Sequence, residues 1–145
     1  MDFRREASEK LRSYTTKRDS LSRSAREIRR LELEFVRIKS ASSGSTPVSG
    51  GGSKQEDAMI NNIALREEIS AAMESTREWL SIVDDALASL DEEERKVLEL
   101  MCMRRARGNL DRLCAELHIE RSTAYRRRDV ALKHFTLALY GVVEI

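Results

Sequence analysis

Between residues 110 and 138 the apolar side chains fall at spacings that leave the backbone few options. Leu110, Leu113, Cys114 and Leu117 stand at i, i+3, i+4 and i+7, one stripe of a short helix. Ile119 follows two residues later, placed to plug an angle between helices. Ala124 offers a small side chain where a second helix must approach the first closely. Ala131, Phe135 and Ala138 continue that inner face at helical spacing. The pattern predicts a helix, a tight turn and a second helix over about 121–138. The outer face of that second helix carries Arg121, Tyr125, Arg126, Arg128 and Lys133. An ordinary bundle helix with a solvated basic face is the competing account, but it does not explain why the run directly follows a helix-turn pattern.

The rest of the chain is built to be helical. Its 145 residues include one proline, and no run alternates in the Val/Ile/Thr/Tyr manner of a strand. The expected fold class is all-α. Over residues 2–40, Phe3, Ala7, Leu11, Tyr14, Leu21, Ala25, Ile28, Leu31, Phe35 and Ile38 recur in threes and fours, with Arg18 filling the one gap. That is a narrow, coiled-coil-like seam on one long helix. Residues 41–56, rich in Gly and Ser, read as a flexible linker. Gly50 to Lys54 lacks the Gly-Lys-Ser/Thr order of a phosphate-cradling loop. Residues 57–90 predict a second long helix with Leu65, Ile69, Ala72, Thr76, Trp79, Val83, Leu87 and Leu90 on its seam. Folded back antiparallel, the two helices would bury both seams. Residues 1–90 are thus expected to form a helical hairpin and residues 91–145 a helix-turn-helix domain. In the latter, Asp91 and Glu94 make a capping-box pattern for a helix over 92–103. Arg104, Arg105 and Arg107 form a basic turn, and Asn109 is placed to cap the next helix.

Net charge is only +1, yet residues 95–134 hold eleven Lys/Arg against five Asp/Glu. A basic module on a mildly acidic remainder is the electrostatic footprint expected of a DNA-binding domain. Arginine forks suit guanine edges and phosphates alike. No apolar run approaches a membrane span, and the first residues lack the apolar core of a signal peptide, so a cytoplasmic protein is expected. Cys102 and Cys114 fit free thiols. Cys114 and His118 have a ligand-competent i, i+4 spacing, with Cys102 and His134 as further candidates, but both cysteines sit on apolar stripes, so neither metal nor cofactor is expected. No nucleophile signature points to an enzyme.

The last third of the chain resembles region 4 of the sigma-70 family. The resemblance lies in Leu90-Asp91-Glu92-Glu93-Glu94-Arg95-Lys96-Val97-Leu98 as lead helix, Leu110 to Ile119 as helix and turn, Ser122-Thr123-Ala124 at the recognition-helix start and Ala131-Leu132 at its end. The chain departs from that pattern at His118, where glycine is usual, at Glu120, where a serine cap is usual, and at Arg128, where an apolar residue is common. The whole arrangement is similar to phage late-gene activators of the ArpU/RinA kind. The resemblance implies a transcription regulator in a bacterial host cell that binds double-stranded DNA. It implies Arg121, Ser122, Tyr125 and Arg126 as the base-facing set. Phosphates would be held by Arg128 and Lys133 with Thr123, Arg112, Arg104, Arg105 and Arg107. RNA polymerase is the expected protein partner, and the hairpin offers a route to a homodimer. Two alternatives stay open: a small terminase-like DNA-packaging subunit, and an interaction module that binds polymerase or another partner without reading DNA.

Overall fold

The computed structural model describes residues 1–41, 51–104 and 106–142. Among them every regular element is helical and no strand occurs. The order is α1 (Phe3–Ala41), α2 (Gly51–Ala88), α3 (Glu92–Leu98), a π-helical turn (Glu99–Met103), α4 (Asn109–Leu117) and α5 (Arg121–Tyr140). Residues 51–56 of the expected linker belong to α2, and its residues 42–50 lie outside the described residues. No described helix is long and apolar enough to cross a membrane.

Packing divides the chain into two units, Asp19–Arg77 and the combination of Met1–Arg18 with Glu78–Ile145. In the first, α1 and α2 run antiparallel: Gln55 Nε2 donates to Ile38 O (2.9 Å) and Asn62 Nδ2 to Leu31 O (2.8 Å). Asn62 is buried, and its carbonyl accepts from Arg66 Nε at 2.9 Å. The Arg66 guanidinium in turn lies 5.1 Å from the Phe35 ring centre. A buried amide with both ends met holds register without leaving a polar group unpaired. From Asn62 onward the inward positions of α2 here are Asn62, Arg66, Ile69, Met73 and Thr76, in alternating steps of four and three. Leu65 and Ala72, expected on this seam, are exposed. Polar side chains at the first two seam positions concealed the register.

The second unit combines the first turns of α1 and the last turns of α2 with α3, α4 and α5. Its larger core joins Ala7 and Leu11 of α1, Val83 and Ala86 of α2, Leu90, Leu98, Cys102, and Ala131 and Phe135 of α5. The Phe3 and Tyr140 rings meet at 5.2 Å. The Tyr14 hydroxyl donates to Asp84 Oδ1 at 2.5 Å, and burial, followed by this bond, pushes its pKa up. Trp79 is half-buried on the same core, with the Lys17 ammonium 4.3 Å from its ring centre. The core under α5 therefore draws on both sides of residue 90, and the expected boundary there does not coincide with a break in packing.

A second cluster, Val97, Leu100, Leu113 and Ala124, holds α4 and α5 to α3. Val97 and Leu100 enter this cluster while Leu98 and Cys102 enter the larger one. The helix expected to run as α through residue 103 changes after Leu98: Arg104 N–H donates to Glu99 O at 2.8 Å, an i to i−5 bond. The segment from α3 through the wider π turn thus supplies side chains to two cores at once.

Asp91 caps α3 as expected, its Oδ1 accepting the Glu94 N–H at 2.8 Å. The Glu94 carboxylate lies 2.5 Å from His134 Nδ1 on α5. Arg95 donates to Leu90 O and to Ala88 O, closing the end of α2. Asp91→Ala is expected to cost about 1 kcal/mol, a drop of about 4 °C in Tm. Asp91→Asn should keep most of it, and thermal unfolding followed by circular dichroism checks both.

Candidate nucleic-acid interface

The backbone that presents α5 is set by three positions. Gly108, at φ 86°, precedes α4 and occupies the left-handed region that glycine enters without a Cβ penalty. Asn109, expected to cap α4, is its first residue instead. Its Nδ2 donates to Leu100 O (3.2 Å) and to Arg104 O, tying the basic turn to the π turn. His118 ends α4 in the left-handed region (φ 55°, ψ 49°), its N–H bonded to Cys114 O. Histidine is among the residues that tolerate this conformation, so the tight turn forms without the usual glycine. Ile119 packs with Leu110, Cys114 and Leu117 against the smaller core, and extended Glu120 starts α5 with no side-chain cap bond.

Ala124, Ala131 and Phe135 are fully buried, as their spacing predicts. Ala138, expected on the same face, is exposed, and Thr136 is buried instead with its hydroxyl donating to Leu132 O at 2.6 Å. The α1 segment bearing Ala7 and Leu11 shares a core with the later part of α5. This turns the covered side toward Leu132, Phe135 and Leu139.

On the other side, Arg121, Ser122, Tyr125 and Arg126 are all exposed. Spaced i, i+1, i+4 and i+5, they share one face of the first turns of α5. Arg121 Nη2 donates to Asp111 Oδ1 at 2.7 Å, a bond that raises its pKa. Arg126 makes no ion pair among the described residues. The Arg128 guanidinium lies 5.1 Å from the Tyr125 ring centre and 3.2 Å from Asp129.

The expected phosphate ligands are differently placed. Arg104, Arg107, Arg112 and Lys133 are exposed, Thr123 and Arg128 are half-buried, and Arg105 lies outside the described residues. Thr123 shares a cavity of mixed charge with Asp91, Glu93 and Glu94 on one side and Arg126 and Arg127 on the other. Arg112 meets Glu116 at 3.3 Å. Glu116 also takes the Lys96 ammonium at 2.5 Å, and that bond, with help from Arg112, lowers its carboxyl pKa. Arg104 lies 3.6 Å from Glu99, and Arg127 is paired with Glu93. Exposed pairs of this kind are weak and screened by solvent, so a competing phosphate can displace the carboxylate. Arg4, Arg5 and Arg12 of α1 share a cavity with Arg128, which reasoning confined to residues 104–133 could not reveal. Their signal in the sequence is that they flank Ala7 and Leu11 on the seam. Among the described residues no group of three or more His, Cys, Asp or Glu is placed to hold a metal ion.

No family model matches this chain, and no curated protein or solved structure does either.

Proposed function

We propose that this chain is a sequence-specific DNA-binding transcription regulator of phage genes. In this reading its helix-turn-helix is region-4-like, it acts with RNA polymerase, and α5 lies in the major groove. The observation that carries this reading is the four-residue face of α5. Arg121, Ser122, Tyr125 and Arg126 stand exposed on its first turns, while Ala124 and Ala131 bury the opposite side. Helix-turn-helix proteins read bases with the N-terminal residues of such a helix. Arg126 and Arg121 suit bidentate pairing with guanine O6 and N7, Ser122 bonds to several base edges, and the Tyr125 ring suits contact with a thymine methyl. Arg121 would exchange Asp111 for its base. Arg104, Arg107, Arg112 and Lys133 hold phosphates and set the register on the duplex. The α1–α2 pair serves contact with polymerase or a second copy of the chain.

The test is selection of bound duplexes from random DNA over a salt series. An enriched consensus with steep salt dependence is expected. Arg126→Ala is expected to cost ~1–3 kcal/mol on that consensus and to relax preference at one base position. Equal loss on every sequence would remove Arg126 from the base-reading role.

One observation favours a second reading, a partner-binding module that does not read DNA. Arg104, Arg112, Arg121 and Arg128 each already lie within ion-pair distance of a carboxylate of the chain. A selection that enriches no sequence, together with binding to polymerase, would establish it.

A further inference from the structure

The N-terminal turns of α1 are held against the DNA-facing module by their own buried side. Ala7 and Leu11 are fully buried in the core that contains Phe135, and the Phe3 ring sits on Tyr140. Beside that seam, Arg4, Ser8 and Arg12 form an i, i+4, i+8 line with Arg5 next to it. All four line one cavity together with Arg128 of α5. Arg5 and Arg12 are exposed, and Arg4 and Ser8 are half-buried.

Two carboxylates border the same cavity, Asp2 and Asp129, and both are engaged. Asp2 Oδ1 accepts the Arg5 N–H at the start of α1 (3.1 Å), and Asp129 takes Arg128 at 3.2 Å. Arg5 also lies 3.5 Å from Glu9. Arg4 and Arg12 make no ion pair among the described residues. Two guanidinium groups without an ion-pair partner among the described residues, a third only loosely paired and a serine hydroxyl therefore face one side of the helix, where four arginines outnumber two carboxylates. Eight residues of helix separate Arg4 from Arg12, about 12 Å along the axis. Each strand of B-DNA presents a phosphate about every 3.4 Å of axis, so the line spans more than one phosphate.

We propose that Arg4, Arg5 and Arg12, together with Arg128, form a second phosphate-holding surface that grips the DNA backbone beside the groove occupied by α5. The inference rests on the DNA-binding reading of α5. It assigns to α1 a binding role in addition to its packing role. Phosphate contacts fix position without carrying sequence information, so this surface contributes affinity and leaves base preference alone.

The test uses the full chain with Arg4→Gln, Arg5→Gln and Arg12→Gln combined, titrated with the selected consensus and with a random duplex at several salt concentrations. Each phosphate contact contributes about 0.9 to the slope of log K against log salt. The expected result is a slope shallower by about 1.8–2.7, an equal fold loss on both duplexes and an unchanged consensus. The corresponding Arg→Lys variant should keep the slope, since ammonium groups also neutralise phosphate. Should the triple variant unfold, Arg12→Gln alone, at an exposed position, should lower the slope by about 0.9.

A wild-type slope in the glutamine variants, with the wild-type chain binding its consensus, would overturn this surface and leave the DNA-binding reading standing. So would an equal slope loss on removing three other exposed arginines, Arg23, Arg26 and Arg29, which would reduce the effect to net charge. A wild-type chain with no duplex affinity at any salt would overturn both.

Discussion

Phe135→Ala is expected to destabilise the chain by about 3–5 kcal/mol, the usual range for removing a buried aromatic ring. The ring is fully buried in a core whose members come from α1, α2, the α3–π segment and α5. Four separately anchored segments cannot all collapse into the space it leaves, which puts the cost toward the upper end. Folded domains hold about 5–15 kcal/mol in total, so one substitution removes a large part. Urea unfolding should show a lower midpoint at unchanged slope. Leu137, two residues along the same helix, is 49% exposed, and Leu137→Ala should stay within about 0.5 kcal/mol. Equal effects at the two positions would mean that the larger core is not where the structure puts it.

A fragment of residues 91–145 is expected not to fold on its own. It keeps Val97, Leu100, Leu113 and Ala124, but it loses Ala7, Leu11, Val83, Ala86 and Leu90 from the larger core. Leu98 and Phe135 would face water, at about 1.5–3 kcal/mol for each large apolar side chain. A single core in a chain this short rarely supplies more than about 3–5 kcal/mol, so the deficit is comparable to everything such a core provides. Far-UV circular dichroism should show weak helicity without a cooperative transition. A fragment that melts cooperatively near the temperature of the full chain would show that α1 and α2 are dispensable covers.

Much of this was legible because helix faces repeat locally. The spacing of Leu110, Leu113 and Leu117, the small Ala124, and the seam through Ala7 and Leu11 each depend on neighbours within two turns. The structure puts Leu113, Ala124, Ala7 and Leu11 inside. What was not legible depends on distant partners. The seam of α2 passes through Asn62 and Arg66, which read as surface until Leu31 O and the Phe35 ring are seen to receive them. Thr136 is buried and Ala138 exposed because α1 packs on the later turns of α5, and periodicity within α5 carries no trace of that. The π turn at Glu99–Met103 is a difference in hydrogen-bond partner, to which no residue type is bound. Asn109 had the right chemistry for a cap but spends its amide on carbonyls of the preceding turn. The proposed base-facing set lies on a single helix and was offered by the resemblance to region 4, with helical spacing placing its members on one face. The arginines of α1 belong to another element and became neighbours of Arg128 only in three dimensions.

The larger core also fixes the order in which this protein can mature on the ribosome. Leu11 is translated well before Phe135, and both are sealed in one cluster. At about 5–20 residues per second, about 6–25 s pass between them. During that interval the apolar side of the leading helix has only an incomplete core to shield it, beginning with Val83 and Ala86 and joined later by Leu90, Leu98 and Cys102. Contacts so distant in sequence close slowly. The nascent chain therefore carries an amphipathic helix without its final cover until α5 emerges, and a ribosome stalled before α5 would release a product able to pair α1 with α2 but lacking Phe135 and the exposed arginine face of α5.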